Sequence, residues 1–456
     1  MTSATSRQTR IGQDDYSLER VPATARYSWG SVALQRFGQL SALSQFLLGA
    51  TLGFGMTFWH AVIAITLGAV VLEVVAIFVG IAGMREGLST SVLARWTGFG
   101  QYGSAIIGVM IGLSLIGWFG IQNAVFAEGL TSLVGGIPTW AWAIVCGVAV
   151  TIIVVYGFAS MNWTAYVTVP LFVGLCVWAI SVEFSKHSLS TLVNSAAPGK
   201  ALSIAAGITL VAGGFIAGAV ITADMTRFNR SSADVVKQTI VSITFGEYCI
   251  GLIGVLLAHA IRSGNVVDII DSAVGAAGTV ILITATLKIN DWNLYSSSLG
   301  FVNVIDRVFK RRANRAIVTL VVGGIGTALS AAGILSHFTG FLDGLGVAIP
   351  PIAAIMVAEY FVVRQWRKPL ADARAQGRLP SATPKLVPAS LAIWLVASLV
   401  GAYVPWGIAA LNSLVVAFVL YIVAGKLGLT KGVGWGAGDG GRVSGERAAV
   451  SADPAP

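Results

Sequence analysis

Residues 282–301 read LITATLKINDWNLYSSSLGF, and this run holds Lys288, Asn290, Asp291 and Asn293 among apolar neighbours. Lys288 and Asp291 are three apart, so on a helix they share a face and an ammonium can neutralise a carboxylate. A charge at the centre of a bilayer costs at least about 2.5–3.5 kcal/mol on insertion scales, so each such group needs a partner or water. Three more charges stand inside apolar runs: Arg36, Glu73 and Glu247. The signs balance if Arg36 pairs with Glu73 or Glu247. Two readings fit these residues equally: static ion pairs that join helices, or a proton-linked switch. Lysine suits the second, because a buried lysine can exchange its proton whereas arginine keeps its own.

A second set of side chains suits a flat ligand. In SLIGWFGIQNAVFAEGL (114–130), Trp118 and Gln122 are four apart and project from one helical face. An indole can stack on an aromatic heterocycle while the neighbouring carboxamide bonds its edge. Asn290 and Asn293 add donor–acceptor pairs, and Phe215 a second ring. Singly, each is an ordinary packing residue. Together they fit a planar ligand bearing amide-like groups.

The elements that must position these groups are membrane helices. Only 11% of the 456 residues are charged, against about a quarter in soluble proteins. Apolar runs long enough for a hydrocarbon core of about 30 Å give approximate spans at 31–54, 58–84, 101–132, 138–158, 163–183, 201–223, 237–262, 273–304, 315–333, 337–363, 386–403 and 405–427. With the first end inside, the tails and inner connections hold 24 of the 29 Lys and Arg; Lys186, Lys200 and Arg262 lie outside, and Arg36 and Lys288 within spans. This bias predicts a multi-pass protein of the cell membrane with both ends in the cytoplasm. It also accounts for the net charge of +9 by contact with anionic lipid rather than nucleic acid. No cleavable signal peptide is visible. The expected organisation is an N-terminal tail at 1–28, one membrane domain at 29–427, and a disordered Gly-, Ala- and Ser-rich tail at 428–456.

Spans 1 and 6 carry glycine and polar residues that a lipid-facing helix would not: QRFGQLSALSQ (35–45) and LVAGGFIAGAVITAD (210–224). Such paired segments mark a mid-membrane substrate site in secondary transporters, or simple close packing of helices. Enzyme chemistry finds no support. His60, His187, His259 and His337 fall in separate segments, and Cys146, Cys176 and Cys249 lack metal-ligand spacing. No cofactor or metal is expected. A channel would need a continuous polar stripe, which isolated charges do not make.

Five stretches together resemble the nucleobase–cation symporter family, on the side of its cytosine permease branch: VPATARYSW (21–29), GWFGIQNAVFA (117–127), GGFIAGAVITADMTRFNR (213–230), INDWNLYSSSLGF (289–301) and AIPPIAAIMVAEYF (348–361). The resemblance runs over roughly residues 20–425. It implies an all-α fold of the leucine-transporter type, with spans 1–5 and 6–10 as inverted repeats and two helices added. It implies import of a nucleobase or related heterocycle driven by sodium or protons, with hydantoin, allantoin or a vitamin precursor as alternatives to cytosine or a purine. By the same resemblance Trp118 stacks on the ligand, Gln122 meets its edge, Phe215 covers the other face, Gly213 and Gly214 expose backbone, and Asn293, beside Asn290, completes the site. Two departures stand out. The family's sodium site falls on Gly38 and Ala42 of span 1 and on Ala285, Lys288 and Ile289 of span 8, where hydroxyl-bearing residues are expected. An ammonium there repels sodium, so Lys288, with Asp291, is expected to take the cation's place and transport to be proton-coupled. The other departure is Ala217, where cytosine permeases carry a small hydroxyl residue.

Overall fold

A computed structural model describes residues 16–40, 43–264, 269, 277–337, 344–345 and 347–437. The chain is built almost wholly of helices, because the apolar runs satisfy every backbone donor and acceptor internally, as lipid demands. The described helices are α1 (Trp29–Leu40), α2 (Leu43–Gly55), α3 (Phe58–Glu86), α4 (Gly100–Leu133), α5 (Thr139–Val155), α6 (Phe158–Lys186), α7 (Ile204–Val220), α8 (Ser232–Gly246), α9 (Leu252–Ile261), α10 (Ala277–Phe309), α11 (Arg315–Ala331), α12 (Pro350–Val357), α13 (Pro388–Tyr403) and α14 (Ala409–Lys426). Further short helical segments link them, the longest described one being Arg367–Ala375. Five helices among the described residues are long and apolar enough to cross a membrane, α3, α4 and α14 among them. Leucine and valine side chains cover the outward faces, as at Leu67, Val70 and Val74 of α3.

Two details decide where the site forms. α7 stops at Val220, and a separate turn, Ala223–Thr226, follows. α8 and α9 are joined by a π-turn, Glu247–Gly251, a local widening often found at functional positions. Glycines let backbones approach at the crossings. A Cβ on Gly254 of α9 would stand 2.6 Å from the Phe46 carbonyl of α2. A Cβ on Gly300 of α10 would stand 2.7 Å from the Gly108 carbonyl of α4. Neither contact admits a side chain, so α2 lies against α9 and α10 against α4 at the shortest distance helices allow.

The segment before α1 is packed rather than loose in its described part. Leu18 and Val21 are buried, the Val21 amide donates to the Gly87 carbonyl at 2.9 Å, and the Tyr27 amide to the Phe228 carbonyl at 2.8 Å. Glu86 accepts from Arg20 and Arg374 at 2.8 Å each, and from the Tyr360 hydroxyl at 2.8 Å. The tail expected to be disordered from 428 onward needs correction at its start. Val433–Ala437 is a strand, β2, paired antiparallel with β1 (Ala382–Leu386) in the register Ala382↔Ala437. The indole of Trp435 meets that of Trp366 with centroids 5.7 Å apart. Composition marked this stretch as low-complexity. Its partner strand lies far upstream, and a pairing across that distance leaves no local signal.

Candidate functional site

Five helices converge on one cavity. Gln39 comes from α1, Ser44 and Gln45 from α2, Trp118 and Gln122 from α4, Gly214, Phe215 and Ala217 from α7, and Ile289, Trp292 and Asn293 from α10. Its empty space, counting the opening to solvent, is about 520 Å³. The four-residue spacing of Trp118 and Gln122 does what the helix period requires and places both on this wall. The Gln122 amide donates to the Ser44 hydroxyl at 3.1 Å, which ties α4 to α2. Phe215 fits because Gly218 has no side chain: a Cβ there would fall 2.6 Å from the Phe215 Cζ. The Asn293 amide donates to Asn290 Oδ1 at 3.0 Å, which fixes the side chain at the cavity wall.

Three expected site residues stand elsewhere. Asn290 is fully buried behind Asn293, with its own amide 3.4 Å from the Phe119 carbonyl, and supports the wall instead of lining it. Gly213 does not line the cavity, whereas Gly214 does, because successive helical positions point about 100° apart. Ile289, expected beside the cation position, lines this cavity with Trp292; it follows Lys288 by one position and so points about 100° away from it around the helix.

Lys288 is fully buried. Its ammonium donates to the Met161 carbonyl at 2.9 Å and to Thr164 Oγ1 at 3.4 Å, and pairs with the Asp291 carboxylate. Its stem runs along Gly38, where a Cβ would stand 2.6 Å from Lys288 Cγ and 2.9 Å from Val169 Cγ2. The ammonium therefore occupies the junction of α1, α6 and α10. Ala42 lies outside the described residues, and Ala285 lies on α10 with its side chain outside the description. Among the described residues no cluster of His, Cys, Asp and Glu is gathered that would hold a metal ion.

The remaining charges do not pair as expected. Arg36 makes no ion pair with Glu73 or Glu247. Its guanidinium donates to Thr222 Oγ1 at 2.8 Å and lies 5.9 Å from the centroid of the Phe215 ring. Glu73 accepts from the Thr244 hydroxyl at 2.6 Å, and Glu247 accepts from the Gln45 amide. The reason is directional: each carboxylate is held by a hydrogen bond on its own side of the bundle, while Arg36 fills the space that opens where α7 ends.

Sequence reasoning marked the stretch 35–45 as unusually polar but assigned none of its side chains except Arg36, Gly38 and Ala42. The structure singles out Gln39, Ser44 and Gln45 there, and adds Trp292 from the INDWNL motif and Gly218 beneath Phe215. The neighbourhood was visible, but which polar residue faces inward depends on the helix rotation.

The family described as "Permease for cytosine/purines, uracil, thiamine, allantoin" matches residues 28–428. The cytosine permease of Escherichia coli (strain K12) is 27% identical over 363 residues, 78% of this chain and 83% of that protein. The allantoin permease of Bacillus subtilis (strain 168) is 23% identical over 427 residues, covering 82% and 85% respectively. Among solved structures, a nucleobase-cation-symport-1 family transporter, Mhp1, in a closed conformation with bromovinylhydantoin bound, superposes with a TM-score of 0.76 at 21% identity, covering 90% of this chain and 95% of that one. The inward-facing conformation of Mhp1 gives 0.73.

Proposed function

The chain belongs to the family of permeases for cytosine and purines, uracil, thiamine and allantoin, a family of transporters and not enzymes, and from that premise we propose that it imports a planar nucleobase-like heterocycle by proton-coupled alternating access. The observation that carries this reading is the convergence of Trp118, Gln122, Phe215 and Asn293 on one cavity. A flat ring lies between Trp118 and Phe215, with its polar edge toward Gln122 and Asn293. Twelve spans cross the cell membrane with both termini in the cytoplasm, spans 1–5 and 6–10 forming inverted repeats. Spans 1, 2, 6 and 7 rock against 3, 4, 8 and 9.

The coupling ion is read from Lys288. Its ammonium takes the position of a metal ion between spans 1 and 8, and its three partners hold it there as a fixed cation. Coupling needs a bound ion that favours one orientation over the other, since equal affinity for both shifts nothing. The rival is a sodium-coupled permease for a hydantoin or allantoin, favoured by the names of the relatives and by Ala217 at the cavity wall. Uptake of radiolabelled cytosine, purines, uracil, hydantoin and allantoin into proteoliposomes, with sodium and proton gradients imposed separately, decides between them. Accumulation with a proton gradient and no sodium is expected. Strict sodium dependence overturns the Lys288 reading.

A further inference from the structure

The five charges that the sequence reading singled out do not cancel among themselves: Arg36 and Lys288 supply two cations, against carboxyl groups at Glu73, Glu247 and Asp291. Asp291 is engaged by Lys288, and Glu73 is the carboxylate within electrostatic reach of Arg36. Among the described residues Glu247 is left with no cation. It is completely buried, its Oε1 has no hydrogen-bond partner among the described residues, and its Oε2 accepts from the amide of Gln45. Gln45 in turn lines the cavity. Glu247 opens the π-turn between α8 and α9, and the residue before it, Gly246, lets Leu40 of α1 approach so closely that a Cβ would stand 2.6 Å from the Leu40 Cβ. Among the described residues, Glu73 from α3 acts on Glu247 as a like charge, Tyr248 of the same turn is bonded to Thr66, and Arg36 of α1 is turned to Thr222.

From this geometry we propose that Glu247 takes up and releases the coupling proton, and that Gln45 transmits its state to the substrate; the proposal rests on the transporter reading above. A carboxylate at 247 accepts from the Gln45 NH₂ group. When a proton from water on one side of the membrane adds to that carboxylate, the new O–H donates to the Gln45 carbonyl instead. A glutamine amide offers a donor at one end and an acceptor at the other, so with the proton on Oε2, the oxygen that faces Gln45, the amide rotates. The edge it presents to the cavity changes from acceptor to donor. The substrate then binds the two states with different affinity, which is the requirement for coupling. Release of the proton to water on the other side restores the first arrangement.

The test uses the full-length protein in detergent or nanodiscs. Wild type is expected to exchange protons with an unbuffered medium when it binds its heterocycle, and its affinity to change with pH by about tenfold or more. Glu247→Gln should show neither effect, with one affinity at every pH. Gln45→Met should bind more weakly and also lose the pH dependence. Proton exchange of wild-type size in Glu247→Gln overturns the proposal while leaving the transporter reading intact. A substrate-free arm separates the two questions: infrared difference spectra between about pH 5 and pH 9 should contain the C=O band of a buried carboxylic acid that disappears in Glu247→Gln. Absence of that band from wild type across the range overturns the proposal whatever the substrate panel shows. If no heterocycle binds to wild type, the functional reading is what fails.

Discussion

Lys288 and Trp118 show how differently two side chains within the bundle can be committed. Lys288 is held on every side: by Asp291 one helical turn away, by Met161 and Thr164 of α6, and by Gly38 along its stem. Removing one partner of such a pair leaves a buried charge without its neutraliser, at a cost of about 3–5 kcal/mol. Lys288→Met is therefore expected to lower the unfolding temperature clearly, and Lys288→Met with Asp291→Asn to recover most of the loss, as read by thermal melting in detergent. Gly38→Ala has a different cause, overpacking, and should cost about 1–3 kcal/mol with Lys288 displaced. Trp118, partly exposed, stands on the wall of the cavity. If it stacks on the ligand, Trp118→Ala forfeits about 1–3 kcal/mol of base–aromatic contact, which equilibrium binding would register as a weakening of roughly 5- to 150-fold. Unchanged binding removes the stacking role.

The element that matters most is α10, since it carries the cavity residues Ile289, Trp292 and Asn293 and the buried pair Lys288 and Asp291 on one rod. Its depth against α4 is set where Gly300 meets the Gly108 carbonyl. Gly300→Leu would push the two helices apart and move Asn293 away from Trp118 and Gln122 together. The expected result is protein that still inserts but neither binds nor transports, checked by binding assay on purified material. A retained affinity would mean that the crossing does not position the site. α7 contributes through its end rather than its length. Because it stops at Val220, Thr222 is free to receive Arg36, and the guanidinium settles near the Phe215 ring.

At the scale of the whole molecule, both described ends of the chain are tied to the bundle. Residues near the start reach Glu86, Gly87 and Phe228, and β2 near the other end pairs with β1 between α12 and α13. The strand pair predicts a boundary for truncation. A chain ending at 437 keeps the pairing and should match full-length protein in melting temperature. A chain ending at 427 loses β2 and the Trp435 contact with Trp366, and should melt several degrees lower. Equal melting of the two would show that the strand contributes nothing to stability.

What the sequence determined by itself was whatever depends on local chemistry. Apolar length marks membrane helices because lipid leaves the backbone no other partner, and the i,i+3 and i,i+4 spacings placed Lys288 with Asp291 and Trp118 with Gln122. Motif order carried the family. The tertiary structure decided which way each helix is turned. That rotation put Asn290 behind Asn293, kept Gly214 but not Gly213 at the wall, moved Ile289 into the cavity, and gave Arg36 to Thr222 in place of a carboxylate. It also brought Gln45 to Glu247 across about two hundred residues. These contacts come from helix packing between distant segments, where a rotation of one residue changes the neighbour, and no short stretch of chain encodes that angle.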